Sequence, residues 1–250
     1  MTSKYNLATV APDFSHLFSG ASGGTDVLFD WQPVEIPNGT CVIKSISATV
    51  AGTNGVAGNT ADIKLYFAKS IDGNAPTAFG TVHAANTDVV TSAFRRNIIG
   101  FTFLDLSSID DADALVSYNV LGSRGSNNLY QVETMLQGEA NTTRTGFQTI
   151  YIAGEASGAA FDFGTDVDLN QAGHQAASVA PVQITTSGTD PRKVYQPGDK
   201  LIGETGTVTM EVVSVDGATT MTVKDVSAQI DHQEQLQLLN PIEFRFGLEY

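Results

Sequence analysis

Along most of the chain, apolar side chains recur at every second position for a short run and then give way to Gly, Thr, Asn, Ser and Asp. The last ten residues show this most cleanly. Ile242, Phe244, Phe246, Leu248 and Tyr250 fall on one side of an extended strand, and Glu243, Arg245 and Glu249 on the other. A slip of one residue would carry those apolar side chains into water at roughly 1.5–3 kcal/mol each, so this terminus is expected to be locked into a core.

The same alternation predicts strands over 27–31, 41–50, 62–69, 115–121 and 147–154. In the second, Val42, Ile46, Ala48 and Val50 share a face against Ser45, Ser47 and Thr49; in the third, Ile63, Leu65 and Phe67 oppose Asp62 and Lys64. Residues 97–106 are apolar on both faces, which predicts a central strand covered on each side. Pro33 and Pro37 place their segment at a sheet edge. Over 126–138, Leu129, Val132 and Leu136 suit a short helix, while Tyr130, Val132 and Leu136 suit a strand, and both stay open.

Residues 1–26 are polar and rich in Gly and Ser, with Phe14, Leu17 and Phe18 as their apolar cluster. They read as an extended N-terminal arm whose aromatic anchors lie on its own domain or on a neighbouring subunit. Residues 27–165 and 236–250 are expected to form the main sandwich. Residues 166–180, rich in Asp, Gln, Gly and Ala, read as a linker. Residues 181–235 read as a small β meander or barrel, inserted before the chain returns to the larger sheet, with turns at Pro197-Gly198-Asp199 and Asp216-Gly217. No repeat at a fixed period points to a solenoid or propeller. The expected fold is all-β: an antiparallel, jelly-roll-like β-sandwich with an inserted β-barrel and an N-terminal arm.

A chain of 250 residues buries a sizeable core without covalent staples, and the lone Cys41, in a strand-like run, reads as a small buried hydrophobe. With 27 acidic against 13 basic residues the formal charge is -14, which disfavours nucleic acid or an anionic membrane as a direct partner. No apolar stretch approaches the ~18 residues of a membrane span, and no export signal pattern opens the chain, so synthesis in a cytoplasm is expected.

Motifs that would carry chemistry lack their context. Gly20-Ala21-Ser22-Gly23-Gly24 fits the G-x-S-x-G elbow of hydrolases, but no buried strand precedes it and no helix follows. Asp166-Val167-Asp168-Leu169-Asn170 copies the first oxygen ligands of a calcium loop, yet Gln171 stands where the sharp-turn glycine is needed and Ala177 where the bidentate Glu should be. A less regular cation site from Asp162, Asp166 and Asp168 is the remaining metal candidate. Asp110, Asp111 and Asp113 read as a solvated loop before a strand. His16, His83, His174 and His232 show no zinc spacing, and His232 beside Asp231 and Glu234 reads as a surface pair. No cofactor and no catalytic residue is expected.

The order of segments resembles virion structural proteins of tailed bacteriophages, in particular those of marine cyanobacteria. The likeness rests on Val34-Glu35-Ile36-Pro37-Asn38-Gly39-Thr40 leading into residues 43–50, on Leu65-Tyr66-Phe67-Ala68-Lys69-Ser70, and on Thr149-Ile150-Tyr151-Ile152-Ala153-Gly154 with Phe161-Asp162-Phe163. It continues through Asp190-Pro191-Arg192-Lys193, Pro197-Gly198-Asp199 and the closing residues 241–250. The resemblance implies a non-enzymatic capsid decoration or cement protein, located in the virion, whose partners are the major capsid protein or neighbouring virion subunits, and which forms a trimer or dimer. The rival expectation is a receptor- or glycan-binding module of a tail or fibre, which would need a shallow site lined by exposed aromatics.

Overall fold

The computed structural model describes residues 4–14, 26–51, 62–86, 95–104, 109–112, 115–121, 134–157, 167–170, 173–203 and 207–250. Its strands are β1 (Tyr5–Val10), β2 (Val27–Pro37), β3 (Cys41–Ala51), β4 (Asp62–Lys69), β5 (Ile98–Leu104), β6 (Ile109–Ala112), β7 (Leu115–Leu121), β8 (Met135–Leu136), β9 (Glu139–Ala140) and β10 (Phe147–Ser157). There follow β11 (Val167–Leu169), β12 (Val182–Gly188), β13 (Lys200–Gly203), β14 (Thr209–Gly217), β15 (Thr220–Lys224), β16 (Gln235–Leu238) and β17 (Ile242–Glu249), with a short 3-10 turn at Pro191–Lys193.

Two antiparallel sheets make a β-sandwich. One runs β1-β17-β3-β7-β6 with β8 added beside β3; the other runs β2-β10-β4-β5 with β9 added beside β10. Their apolar faces meet in one core, to which Ile242, Phe244, Phe246 and Leu248 contribute as the terminal alternation requires. Rings from the two sheets interleave: Phe29 lies 5.6 Å from Phe244, and Phe67 lies 6.0 Å from Phe246, centroid to centroid. Tilted and edge-on pairs of this kind add to the area they bury. Gly154, on β10, faces Phe29 so closely that an added Cβ would lie 2.2 Å from its ring.

The third unit is a closed barrel, β11-β12-β15-β14-β13-β16, closed by the pairing of β16 with β11. Its own core includes Val167, Ile184, Leu201, Met210, Val212, Met221, Val223 and Leu236. The Tyr195 hydroxyl, buried within it, donates to the Leu236 carbonyl at 2.6 Å. The chain leaves the sandwich after β10 and rejoins it at β17, so the barrel lies between two strands of the larger unit.

Several local expectations differ from what forms. Residues 5–10, assigned to an arm, are a strand on β17, in register from Tyr5 opposite Glu249 to Val10 opposite Phe244. Residues 167–169, assigned to a linker, are β11, because Val167 and Leu169 point into the barrel and Asp168 away from it. Residues 98–104 form the edge strand β5, not a central one: Thr102 and Leu104 are buried, while Phe101 is 54% exposed. In β3 a register shift opposite Gly247 and Leu248 turns both Ile43 and Ile46 inward, leaving Val42 half-buried. Asp110 and Asp111 lie within β6, paired to β7, rather than in a loop.

Candidate contact surfaces

The sequence-predicted contact residues separate. Phe14 is 1% exposed, in tilted contact with Phe29 at 5.6 Å inside the chain's own core, and its backbone N–H donates to the Leu239 carbonyl at 3.0 Å. Its ring is therefore taken up by the sandwich. Leu17 and Phe18 lie outside the described residues, as do the Gly20-Gly24 motif, Asp113, Asp162 and Asp166. Asp168 accepts from the Gln235 amide at 3.1 Å, a cross-strand bond between β11 and β16.

Two of the scattered histidines meet. His174 Nδ1 lies 3.0 Å from Asp231 Oδ1, and the His174 and His232 rings stand edge to face at 5.5 Å. Asp231, expected to make a surface pair with His232, is met by His174 from a distant loop, an approach that linear spacing could not reveal. Among the described residues no group of three or more His, Cys, Asp or Glu side chains is arranged to hold a metal ion. Cys41 is buried and donates to the Pro37 carbonyl at 3.3 Å; burial pushes its thiol up, against a smaller opposing effect of Gln148. A thiol held protonated is a poor nucleophile.

A cleft of about 490 Å³ lies where barrel and sandwich meet, lined by Thr49, Arg192, Lys193, Asn240, Glu243 and Arg245 among others. Its charges are mostly matched. Arg192 grips the Asp190 carboxylate through Nε and Nη2, and that guanidinium holds the Asp190 carboxyl below its usual range. Arg245 pairs with Glu243 at 2.5 Å and donates to Thr49 at 3.2 Å. Asp199, also in the lining, has its carboxyl pushed up by burial.

The outer face of the five-stranded sheet carries a row of rings that sequence position gave no reason to join. Trp31 stacks edge-on to Phe79 at 5.1 Å, Phe79 meets Tyr66 at 4.9 Å, Tyr66 meets Phe101 at 6.3 Å, and Phe101 meets Phe103 at 6.2 Å. Val27, Ala153 and the loop bearing Phe79 roof the inner end of this row. The outer end is open, with the Lys64 ammonium 4.7 Å from the Tyr66 ring, 5.6 Å from Phe101 and 5.7 Å from Phe103. Glu155 accepts from the Tyr66 hydroxyl at 3.1 Å and from Asn86 at 3.3 Å. The one signal in the sequence was on β5, whose residues are apolar on both faces, and it could not name the rings that join Phe101 and Phe103.

Another open apolar surface is on β1, where Tyr5 is 72% and Leu7 62% exposed. No protein-family model matches the chain, and no curated protein matches it.

Proposed function

We propose that the chain is a non-enzymatic structural subunit of a tailed-phage virion, made in the host cytoplasm, that binds the capsid shell through the major capsid protein or neighbouring subunits and reinforces it. The observation that carries this reading is the strand order. Taking β1, β2, β3, β4, β5, β7, β10 and β17 in turn, the chain interleaves two sheets, β1-β17-β3-β7 and β2-β10-β4-β5, an order we read as that of a jelly roll with β6 as an added edge. That architecture recurs in viral capsid and lectin domains. It also has a physical merit for a particle: β17 is held between β1 and β3, so the last strand cannot leave without breaking a ladder on each side.

The surface suited to a protein partner is the open end of the ring row. Phe101 presents an exposed apolar face with the Lys64 ammonium beside its ring and the Tyr66–Glu155 hydrogen bond farther along the row, the composition of an interface centre with a polar rim. A receptor- or glycan-binding role is favoured by the continuity of Trp31, Phe79, Tyr66 and Phe101. It is weakened because Phe79 and Tyr66 are buried, the Trp31 indole N–H already donates to Thr77, and Lys64 lies over the open rings.

Cosedimentation of the purified chain with phage heads stripped of decoration tests the proposal. Saturable binding is expected, with Phe101→Asp weakening it at least tenfold while thermal unfolding stays unchanged. Failure to bind heads, with glycan-array binding that Phe101→Asp abolishes, would replace the first reading by the second.

A further inference from the structure

Among the described residues β1 is an edge of the six-stranded sheet, and its chemistry is that of an unguarded edge. Lys4 and Tyr250 exchange both backbone bonds, N–H to carbonyl at 3.2 and 3.0 Å. By the alternation of an antiparallel ladder, Asn6, Ala8 and Val10 also turn their backbone groups to β17, and Tyr5, Leu7 and Thr9 turn theirs away. Those outward N–H and C=O groups have no partner among the described residues. The side chains of Tyr5, Leu7 and Thr9 are exposed as well. The opposite edge, β6, carries Asp110 and Asp111, whereas β1 has neither charge nor proline from Tyr5 to Val10.

We infer that β1 is a dimerisation strand. Two copies of the chain pair antiparallel through β1 about a two-fold axis at Leu7, so that two six-stranded sheets become one continuous sheet. The register follows from which backbone groups are free. Centred on Leu7, the pairing sets Leu7 against Leu7 and Tyr5 against Thr9 of the second copy, so every outward group meets an outward group. A shift by one residue would set outward groups against residues already bonded to β17.

Side chains and charge fit the same axis. Leu7 lies beside Gly247, which leaves the outer face bare at the centre of the seam, and Tyr5 covers Thr9 of the second copy. Tyr5 lies beside Glu249, and Thr9 beside Arg245. The two-fold therefore ends each outer row with opposite charges, Glu249 of one copy and Arg245 of the other. A parallel, in-register pairing would end them with like charges. Glu249 is also compensated by Lys44 at 3.1 Å and Arg245 by Glu243 at 2.5 Å, so no bare charge enters the seam. The seam does not depend on the particle assignment and can fail separately from it.

A single strand pair is at the small end of specific interfaces, so the dimer is reversible. Sedimentation velocity of the full chain from about 1 to 200 µM, a range that brackets micromolar dissociation constants, should show a monomer–dimer equilibrium. Leu7→Pro removes an outward N–H without touching a bond to β17, and Leu7→Lys adds like charge at the axis; each should weaken association at least tenfold. Cysteine oxidation then reads the register. Leu7→Cys should crosslink to itself, and Tyr5→Cys should crosslink to Thr9→Cys but not to itself, all against Val179→Cys as an exposed control. Monomer at every concentration, a dimer indifferent to both Leu7 variants, or crosslinks no faster than those of the control would overturn the inference.

Discussion

Asp13 and Asn240 are joined side chain to side chain at 2.7 Å across 227 positions of chain. The same Asn240 amide donates to the Ala11 carbonyl at 2.9 Å and the Pro12 carbonyl at 3.0 Å. One side chain thus straps the segment after β1 to the point where the chain comes back from the barrel into β17. Asn240→Ala returns these acceptors, those of Ala11 and Asp13 at exposed sites, largely to water and should cost about 0.5–1.5 kcal/mol in urea unfolding. Asp13→Ala, which removes one exposed acceptor, should cost less, and faster proteolysis near residues 11–14 should accompany only the first variant.

That strap also changes how the N-terminal segment should be probed. Removing residues 1–25 would strip β1 from the sheet and Phe14 from the core, so lost particle binding would report unfolding as readily as a lost contact. Point substitutions at exposed Tyr5 and Leu7 avoid this.

Gly154→Ala should destabilise the sandwich by about 1–3 kcal/mol, the usual cost of overpacking. The added methyl meets Phe29, which is fully buried between Phe14 and Phe244 and has nowhere to go. Pairing the change with Phe29→Leu should recover part of the loss in thermal unfolding. A neutral Gly154→Ala would mean that the ring shifts freely.

Glu139, on β9, holds the turn that directly follows β4. It accepts from the Ser70 hydroxyl at 2.8 Å, the Gly73 N–H at 2.8 Å and the Asp72 N–H at 2.7 Å, where Asp72 and Gly73 both take positive φ, 53° and 75°. The Ser70 bond first, then that of Gly73, hold its carboxyl below the ordinary range. A folded-state value depressed below the unfolded one means that the stabilisation is present above the unfolded value and is lost as pH falls through the folded one. Amide exchange at Asp72 and Gly73 should therefore quicken under acid, beyond its intrinsic pH dependence, and Glu139→Gln should remove that extra dependence.

Tyr66 predicts the opposite limb. Burial first, then the charge of Glu155 and its hydrogen bond, push the phenol well above the usual tyrosine range. A raised folded-state value means that its contribution is complete below the unfolded value and is lost as pH rises toward the folded one. Stability should fall as pH climbs past the ordinary tyrosine range, and Tyr66→Phe should flatten that fall. An ultraviolet titration in which Tyr66 ionises with the exposed tyrosines would refute the assignment.

Where one face is dry and the other wet, the order of residues was enough to place a strand: β17 and β4 follow their alternation directly. β1 was hidden because its pattern is inverted. Small or polar Asn6 and Ala8 face in, and Tyr5 and Leu7 face out, so hydrophobicity marks the wrong side. β11 was hidden by length, since three residues give one period of alternation and the surrounding Asp, Gln and Gly outweigh it. The ring row and the meeting of His174 with His232 depend on distant segments converging, which composition does not encode.

The barrel begins and ends on adjacent strands, with Val167 opposite Leu236 and Asp168 opposite Gln235. A module whose inlet and outlet sit side by side puts little geometric demand on its host. Evolution or an engineer can swap it, shrink it to a turn or replace it with a foreign domain while β10 and β17 keep their places, which gives this scaffold a natural port for acquiring new appendages.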